Sequence, residues 1–110
     1  MKNIDAALHT RGESEYVDDV PQPADMLYAA IYGSPVAHGK IMQFNFTDAK
    51  NIRGVVAILT AQDIPGENQI GPIIQDEPLL AEEKVHFAGQ PLAVVIASSP
   101  QAARKGVRSI

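Results

Sequence analysis

Apolar positions fall into short runs separated by turn-forming residues, and the spacing within each run predicts an element. Residues 1–26 are polar and acidic and close with Pro21 and Pro23. Within them Gly12 to Asp19 (GESEYVDD) has no helical period and reads as an extended arm. At Leu27 the pattern changes. LYAAIYGS, residues 27–34, is apolar and rich in β-compatible side chains, then stops at Gly33-Ser34-Pro35, which predicts a strand and a turn. KIMQFNFTD, residues 40–48, alternates Ile41, Gln43 and Asn45 against Met42, Phe44 and Phe46. Period-two alternation predicts a half-buried strand with Met42, Phe44 and Phe46 on one face. Thr47 or Asp48 can then cap a short helix, DAKNIRG, that Gly54 ends.

VVAILT, residues 55–60, is a continuous apolar run and predicts a strand buried on both faces. AQDIP reads as a tight turn, and a Gly- and Asn-rich loop of eight residues follows from Pro65 to Pro72. LLAEEKVHF offers a further strand pair, and GQPLAVVIAS, residues 89–98, predicts another strongly apolar strand. SPQAARKGVRSI opens with Ser99 as N-cap and Pro100 at the first helical position. Ala102, Ala103 and Val107 give that helix a narrow apolar face, and the helix runs to the chain end with no evident cap. The order is strand, strand, helix, strand, loop, strand, strand, helix. Mixed β-strands with two short helices on one side make a single domain, an α+β or α/β sandwich, with α+β the expected class.

Composition narrows the function classes. At 110 residues there is room for one compact domain, and 45% apolar with 20% charged residues is an ordinary globular profile. The net charge is −4, with only scattered cations such as Arg104, Lys105 and Arg108, so a nucleic-acid partner is not expected. No run approaches the roughly 18 apolar residues of a membrane span. The start, MKNIDAALHTRGE, lacks a signal-peptide pattern, and the expected location is cytoplasmic. Cysteine is absent, which excludes disulfides, thiolate zinc sites, a Cys nucleophile and cysteine-ligated iron–sulfur clusters in this segment.

Motif chemistry is sparse. His9, His38 and His86 are far apart in sequence, show no paired metal spacing, and read as structural or surface residues. Glu13, Glu15, Asp18 and Asp19 lack the spacing of a calcium loop and read as a solvated acidic arm. The glycines match no phosphate-cradling pattern, and the serines sit in no nucleophile elbow. No catalytic, cofactor-binding or metal-ligating residue is expected here.

Four blocks nevertheless resemble one family, the molybdenum hydroxylases of the xanthine dehydrogenase and aldehyde oxidase type. RGESEYVDDVPQP (11–23) is similar to the opening of the family's molybdenum-binding portion, and LYAAIYGSPVAHGKI (27–41) to its next block. GVVAILTAQDIPG (54–66) and DEPLLAEEKVHFAGQPLAVVIASSPQAARKGV (76–107) resemble the two that follow, in order. The resemblance implies the α/β-hammerhead fold, with residues 1–26 as an arm and 27–110 as the domain. It also implies a last strand after the final helix that the chain does not contain.

The family hydroxylates a heterocycle or aldehyde at a molybdopterin-bound molybdenum and passes electrons through two iron–sulfur clusters, often to a flavin (FAD). Its catalytic Glu and pterin-binding loops would fall after Ile110, so the fragment alone is expected to be non-catalytic. Met1 stands only ten residues before Arg11. As a native start it would imply a separate molybdenum subunit with clusters and flavin on partner chains. The expected role is a scaffold packed on the remaining molybdopterin-binding domains and facing the iron–sulfur and flavin partners. Gly33, Gly54, Gly89 and Gln90 are the expected tight-turn or contact positions, and the 65–72 loop the expected inter-domain contact. A free-standing binding or adaptor module is the alternative. Purine, aldehyde, nicotinate and aromatic thioester substrates all stay open.

Overall fold

The computed structural model describes residues 6–110; the arm's first five positions lie outside the described residues. Helix α1 is Ala6–Arg11; strands β1 and β2 are Tyr28–Gly33 and Gly39–Lys40; α2 is Thr47–Lys50. Strand β3 is Val55–Thr60, β4 is Lys84–Val85, β5 is Pro91–Ala97, and α3 is Pro100–Val107. Single 3-10 turns occur at Val17–Asp19 and Ala61–Asp63. From β1 onward the order is the one the hydrophobic pattern predicts, and the class is α+β.

The main sheet has the order β1-β5-β3, and a separate ribbon pairs β2 with β4. All three ladders are antiparallel. Strand β5 is central because it is apolar at every position and can be covered on both edges. Helix α3 lies across one face of this sheet and α2 packs beside it against β3. Ala102 and Ala103 of α3 meet Ala97, Ala30 and Val55 in one core cluster. A second cluster, Ala81, Val85 and Leu92 with Tyr32, Ile41 and Phe44, ties the ribbon to the sheet.

Several local expectations change. Residues 41–46 form no ladder, because the partner strand β4 is only two residues long. Phe44 and Phe46 do stack, with centroids 5.2 Å apart, but Met42 is 84% exposed and Ile41 packs inward instead. Neither Thr47 nor Asp48 caps α2; Phe46 holds the cap position, and the Asn45 side chain accepts the Thr47 N–H at 3.1 Å. Strand β3 is not buried on both faces: it is a sheet edge, bulged at Val56, which is 61% exposed. The loop after β3 runs to Glu83, and Asn68 clamps its base by exchanging two hydrogen bonds with the Leu80 backbone. At α3 the Ser99 hydroxyl accepts the Ala102 N–H, as its N-cap pattern predicts, while Ser109 caps the far end by donating to Lys105 O. The polar start holds a helix, α1, which buries none of its residues.

The molecule is far from spherical. Its radius of gyration is 18.6 Å, against about 13 Å for a compact domain of this length. It exposes 8648 Å², whereas a compact monomer of its mass would expose roughly 5,900 Å².

Candidate functional site

Gly33, Gly89 and Gln90 come together at one end of the sheet. Strand β1 ends in a bulge between Tyr32 and Gly33, and the chain then clasps the β4–β5 turn. Ser34 N–H donates to Gln90 O at 2.9 Å, and Gly89 N–H donates to Ser34 O at 2.8 Å. Gly89 takes φ +85°, the left-handed region that the turn requires. The Gln90 side chain is buried and accepts the His86 N–H at 2.7 Å, fixing the exit from β4. Ser34, also buried, closes its own turn by donating from its hydroxyl to Val36 O.

Gly54 stands apart from these three, at the start of β3. It takes φ +96°, and its carbonyl accepts the Ser98 N–H at 2.8 Å. A Cβ there would press on the Ser98 hydroxyl at 2.9 Å and the Ala102 methyl at 3.2 Å, so Gly54 lets β3 pass close under α3.

The sheet also carries an apolar surface whose residues the sequence reading did not single out. Register pairs Ala29 and Ala57 with Ile96 from either side, and Ile31 and Leu59 with Val94. Directly paired residues share a face, so two apolar rows, Ala29–Ile96–Ala57 and Ile31–Val94–Leu59, cross the sheet on the side away from α3. Ala29, Ile31 and Leu59 are exposed, and Ile31 reaches 61%. Elsewhere, in the 64–83 loop, Ile73 is 92% exposed and Ile74 is exposed as well. The continuous apolar run of β5 was the available clue, since a sheet solvated on one face alternates apolar with polar residues.

Polar chemistry is local. The Asp63 carboxylate accepts the Thr60 N–H at 2.7 Å and the Thr60 hydroxyl at 3.0 Å, which hold it below the usual carboxylate range. Ser14 Oγ lies 2.6 Å from His9 Nδ1 on the arm. His38 and His86, distant in sequence, meet edge-on with centroids 5.9 Å apart. Among the described residues no three His, Cys, Asp or Glu groups could hold a metal together. A cavity of about 160 Å³ between Phe44, Phe46, Thr60, Gln62, Ala81 and Glu82 is below the size of an ordinary ligand pocket, roughly 300 Å³ and upward.

These donor sets do not fit a molybdopterin cofactor. Gly33 backs onto Gly89 and Gly54 onto Ser98 and Ala102, so the close-approach glycines face this chain's own backbone and side chains rather than a common cradle.

The model of the aldehyde oxidase and xanthine dehydrogenase a/b hammerhead domain matches residues 11–110. The chain is similar to Xanthine dehydrogenase 1 of Arabidopsis thaliana, 40% identical over 102 residues that cover 93% of this chain and 8% of that protein. It is 36% identical over 107 residues to the Nicotinate dehydrogenase large molybdopterin subunit of Eubacterium barkeri, covering 97% of this chain and 25% of that subunit. Among solved structures it superposes on the Aldehyde Oxidoreductase from Desulfovibrio gigas with a TM-score of 0.81 at 28% identity, covering 96% of this chain and 13% of that one. The CO dehydrogenase from Oligotropha carboxidovorans gives 0.79 at 32% identity, covering 98% and 14%. The chain thus spans a quarter or less of each of these relatives. With a hammerhead model matched over residues 11–110 and this antiparallel α+β architecture, the chain belongs to the aldehyde oxidase and xanthine dehydrogenase family, as its a/b hammerhead domain.

Proposed function

We propose that this chain is the structural hammerhead of a molybdenum hydroxylase acting on a heterocycle or aldehyde, and that it contributes a docking face rather than reacting groups. In this reading residues 1–26 are an arm and 27–110 the hammerhead unit. The two apolar rows, Ala29–Ile96–Ala57 and Ile31–Val94–Leu59, carry the proposal. A sheet face without a polar side chain, on a chain exposing far more surface than its mass requires, is built to be covered. The occupant is the rest of the molybdopterin-binding portion of the same subunit. Iron–sulfur clusters and a flavin, where the assembly has them, belong to neighbouring domains or subunits, and the location is cytoplasmic.

The test places Ile31→Glu in the parent polypeptide and in the 110-residue chain. The isolated chain should keep its urea midpoint, because Ile31 is solvated there. The parent should lose assembly and turnover. Unchanged assembly and turnover in the parent would instead return the chain to the class of free-standing binding modules.

A further inference from the structure

We propose that His38 and His86 form a two-imidazole site for a zinc ion, which bridges strands β2 and β4 and pins the ribbon. The site lies apart from the apolar rows and does not depend on them.

The register pairs Gly39 with Val85 and Lys40 with Lys84. Continued by one residue, it sets His38 opposite His86. Ile41 N–H donates to Glu83 O at 2.8 Å, which makes 41/83 a hydrogen-bonded pair. Pairs alternate along an antiparallel ladder, so 38/86 is a non-hydrogen-bonded pair, the kind whose side chains approach most closely. The two rings do meet, edge-on, with centroids 5.9 Å apart. Both residues are exposed, and His86 is tied to Gln90 through its backbone N–H rather than its ring. His9 differs, since its Nδ1 is engaged by Ser14 Oγ. Val85 and Ile41 are packed inward around Leu92 and Ala81, which keeps the imidazole face outward.

Zinc takes imidazole nitrogens at about 2.0–2.1 Å in tetrahedral geometry, which sets the centroids of two liganded rings roughly 5.2 Å apart. Small side-chain rotations close the difference from the observed spacing without moving the backbone. Among the described residues no three His, Cys, Asp or Glu groups gather around one point. Water therefore completes the coordination, and the site is open. An imidazole pair favours zinc over magnesium or calcium, which prefer oxygen ligands.

Lys40 and Lys84, two residues along each strand, would repel a cation. Glu82 and Glu83 offset them, lining one cleft with Lys84 and His86. Two carboxylates against two ammonium groups leave this end of the ribbon near neutral. The ribbon also has a use for a clip. Its ladder is two residues long and sets two like charges directly opposite each other, which weakens a strand pair. An ion held across 38/86 adds a cross-link just beyond the last pair and stabilises the folded ribbon, where the two imidazoles are already together.

The experiment is a Zn2+ titration of the isotopically labelled chain, read by imidazole and amide shifts, with Mg2+ as the oxygen-seeking control. Zinc should saturate at one ion per chain, moving His38 and His86 before His9, and Mg2+ should leave the rings unmoved. H38Q and H86Q should each weaken zinc binding by about tenfold or more, because the remaining imidazole loses its intramolecular second ligand. The double variant H38Q/H86Q should be little weaker than either single one, as expected for two residues acting as a unit. In EDTA the urea midpoints of all three variants should match that of the unsubstituted chain, and with zinc only the unsubstituted midpoint should rise. That comparison separates a lost site from a lost fold. Equal zinc affinity in H38Q and the unsubstituted chain would overturn the proposal, as would shifts centred on His9 or on Glu82 and Glu83. A midpoint that zinc leaves unchanged would overturn it too. None of these results bears on the apolar face, whose own test is assembly of the parent.

Discussion

A Cβ built on Gly33 lies 2.9 Å from the carbonyl oxygen of Gly89, a contact that only a glycine at position 33 can relieve. Gly33 has no left-handed φ, so the demand is steric rather than conformational. Both neighbours in the contact are backbone, pinned by the Ser34–Gln90 and Gly89–Ser34 hydrogen bonds. Gly33→Ala should therefore lower the urea unfolding free energy by about 1–3 kcal/mol, the usual range for overpacking. Gly66→Ala is the control, because nothing lies within 4 Å of a Cβ there. Equal midpoints for the two variants would remove the clasp from the stability of the fold.

Gly106 sets the distance between α3 and the sheet. Glycine inside a helix ordinarily costs about 0.5–1 kcal/mol relative to alanine, so Gly→Ala usually stabilises. Here the new methyl would sit 2.7 Å from Val95 Cγ1, and Val95 is fully buried and β-branched. The clash outweighs the propensity gain, and Gly106→Ala should destabilise by about 1 kcal/mol net. Adding Val95→Ala removes the obstructing methyl, so the double variant should lose less than the two singles combined. Additive losses in a thermal or urea series would show that α3 can shift away from the sheet.

The Gln90 side chain is predicted to act locally. Gln90→Leu keeps the backbone clasp to Ser34 and removes only the acceptor of the His86 N–H. The expected loss is about 1 kcal/mol, the net worth of one ordinary hydrogen bond. Amide exchange should accelerate at His86 and Val85 while Ala93 and Val95 in β5 stay protected. Uniform acceleration across β5 would mean that Gln90 supports the whole sheet.

Much of the fold was legible because its causes are local. Ser99 followed by Pro100 announces a helix start through cap chemistry, and Gly54 marks a left-handed turn through its own backbone. Tertiary facts were not legible. Alternation over residues 40–48 is real, yet without a long partner strand only Lys40 of that run joins the two-residue ladder. VVAILT reads as buried on both faces from its apolar composition alone, while in the fold only its α3 side is covered. The α3 contact face was read as Ala102, Ala103 and Val107, but Gly106 makes the closest approach, which depends on a strand outside the helix. The apolar rows and the His38–His86 pair arise from register between strands distant in sequence, which no local pattern encodes.

The last prediction concerns acid. Asp63 is exposed, and its carboxylate is held below its ordinary range first by the Thr60 N–H and then by the Thr60 hydroxyl. A carboxyl whose folded value is depressed contributes stability above its unfolded value, and loses that contribution as pH falls through the folded one. The turn after β3 should therefore stay closed through the pH range in which an ordinary aspartate protonates, and open only at lower pH. The Thr60 amide resonance reports this directly, since its N–H is the principal donor. Its shift should titrate at a midpoint below that of Asp in an unstructured peptide. In Asp63→Asn the acid-dependent shift should vanish, because the amide side chain that replaces the carboxyl does not titrate. A Thr60 midpoint at the ordinary aspartate value would mean that the turn does not hold Asp63 in its ionised form.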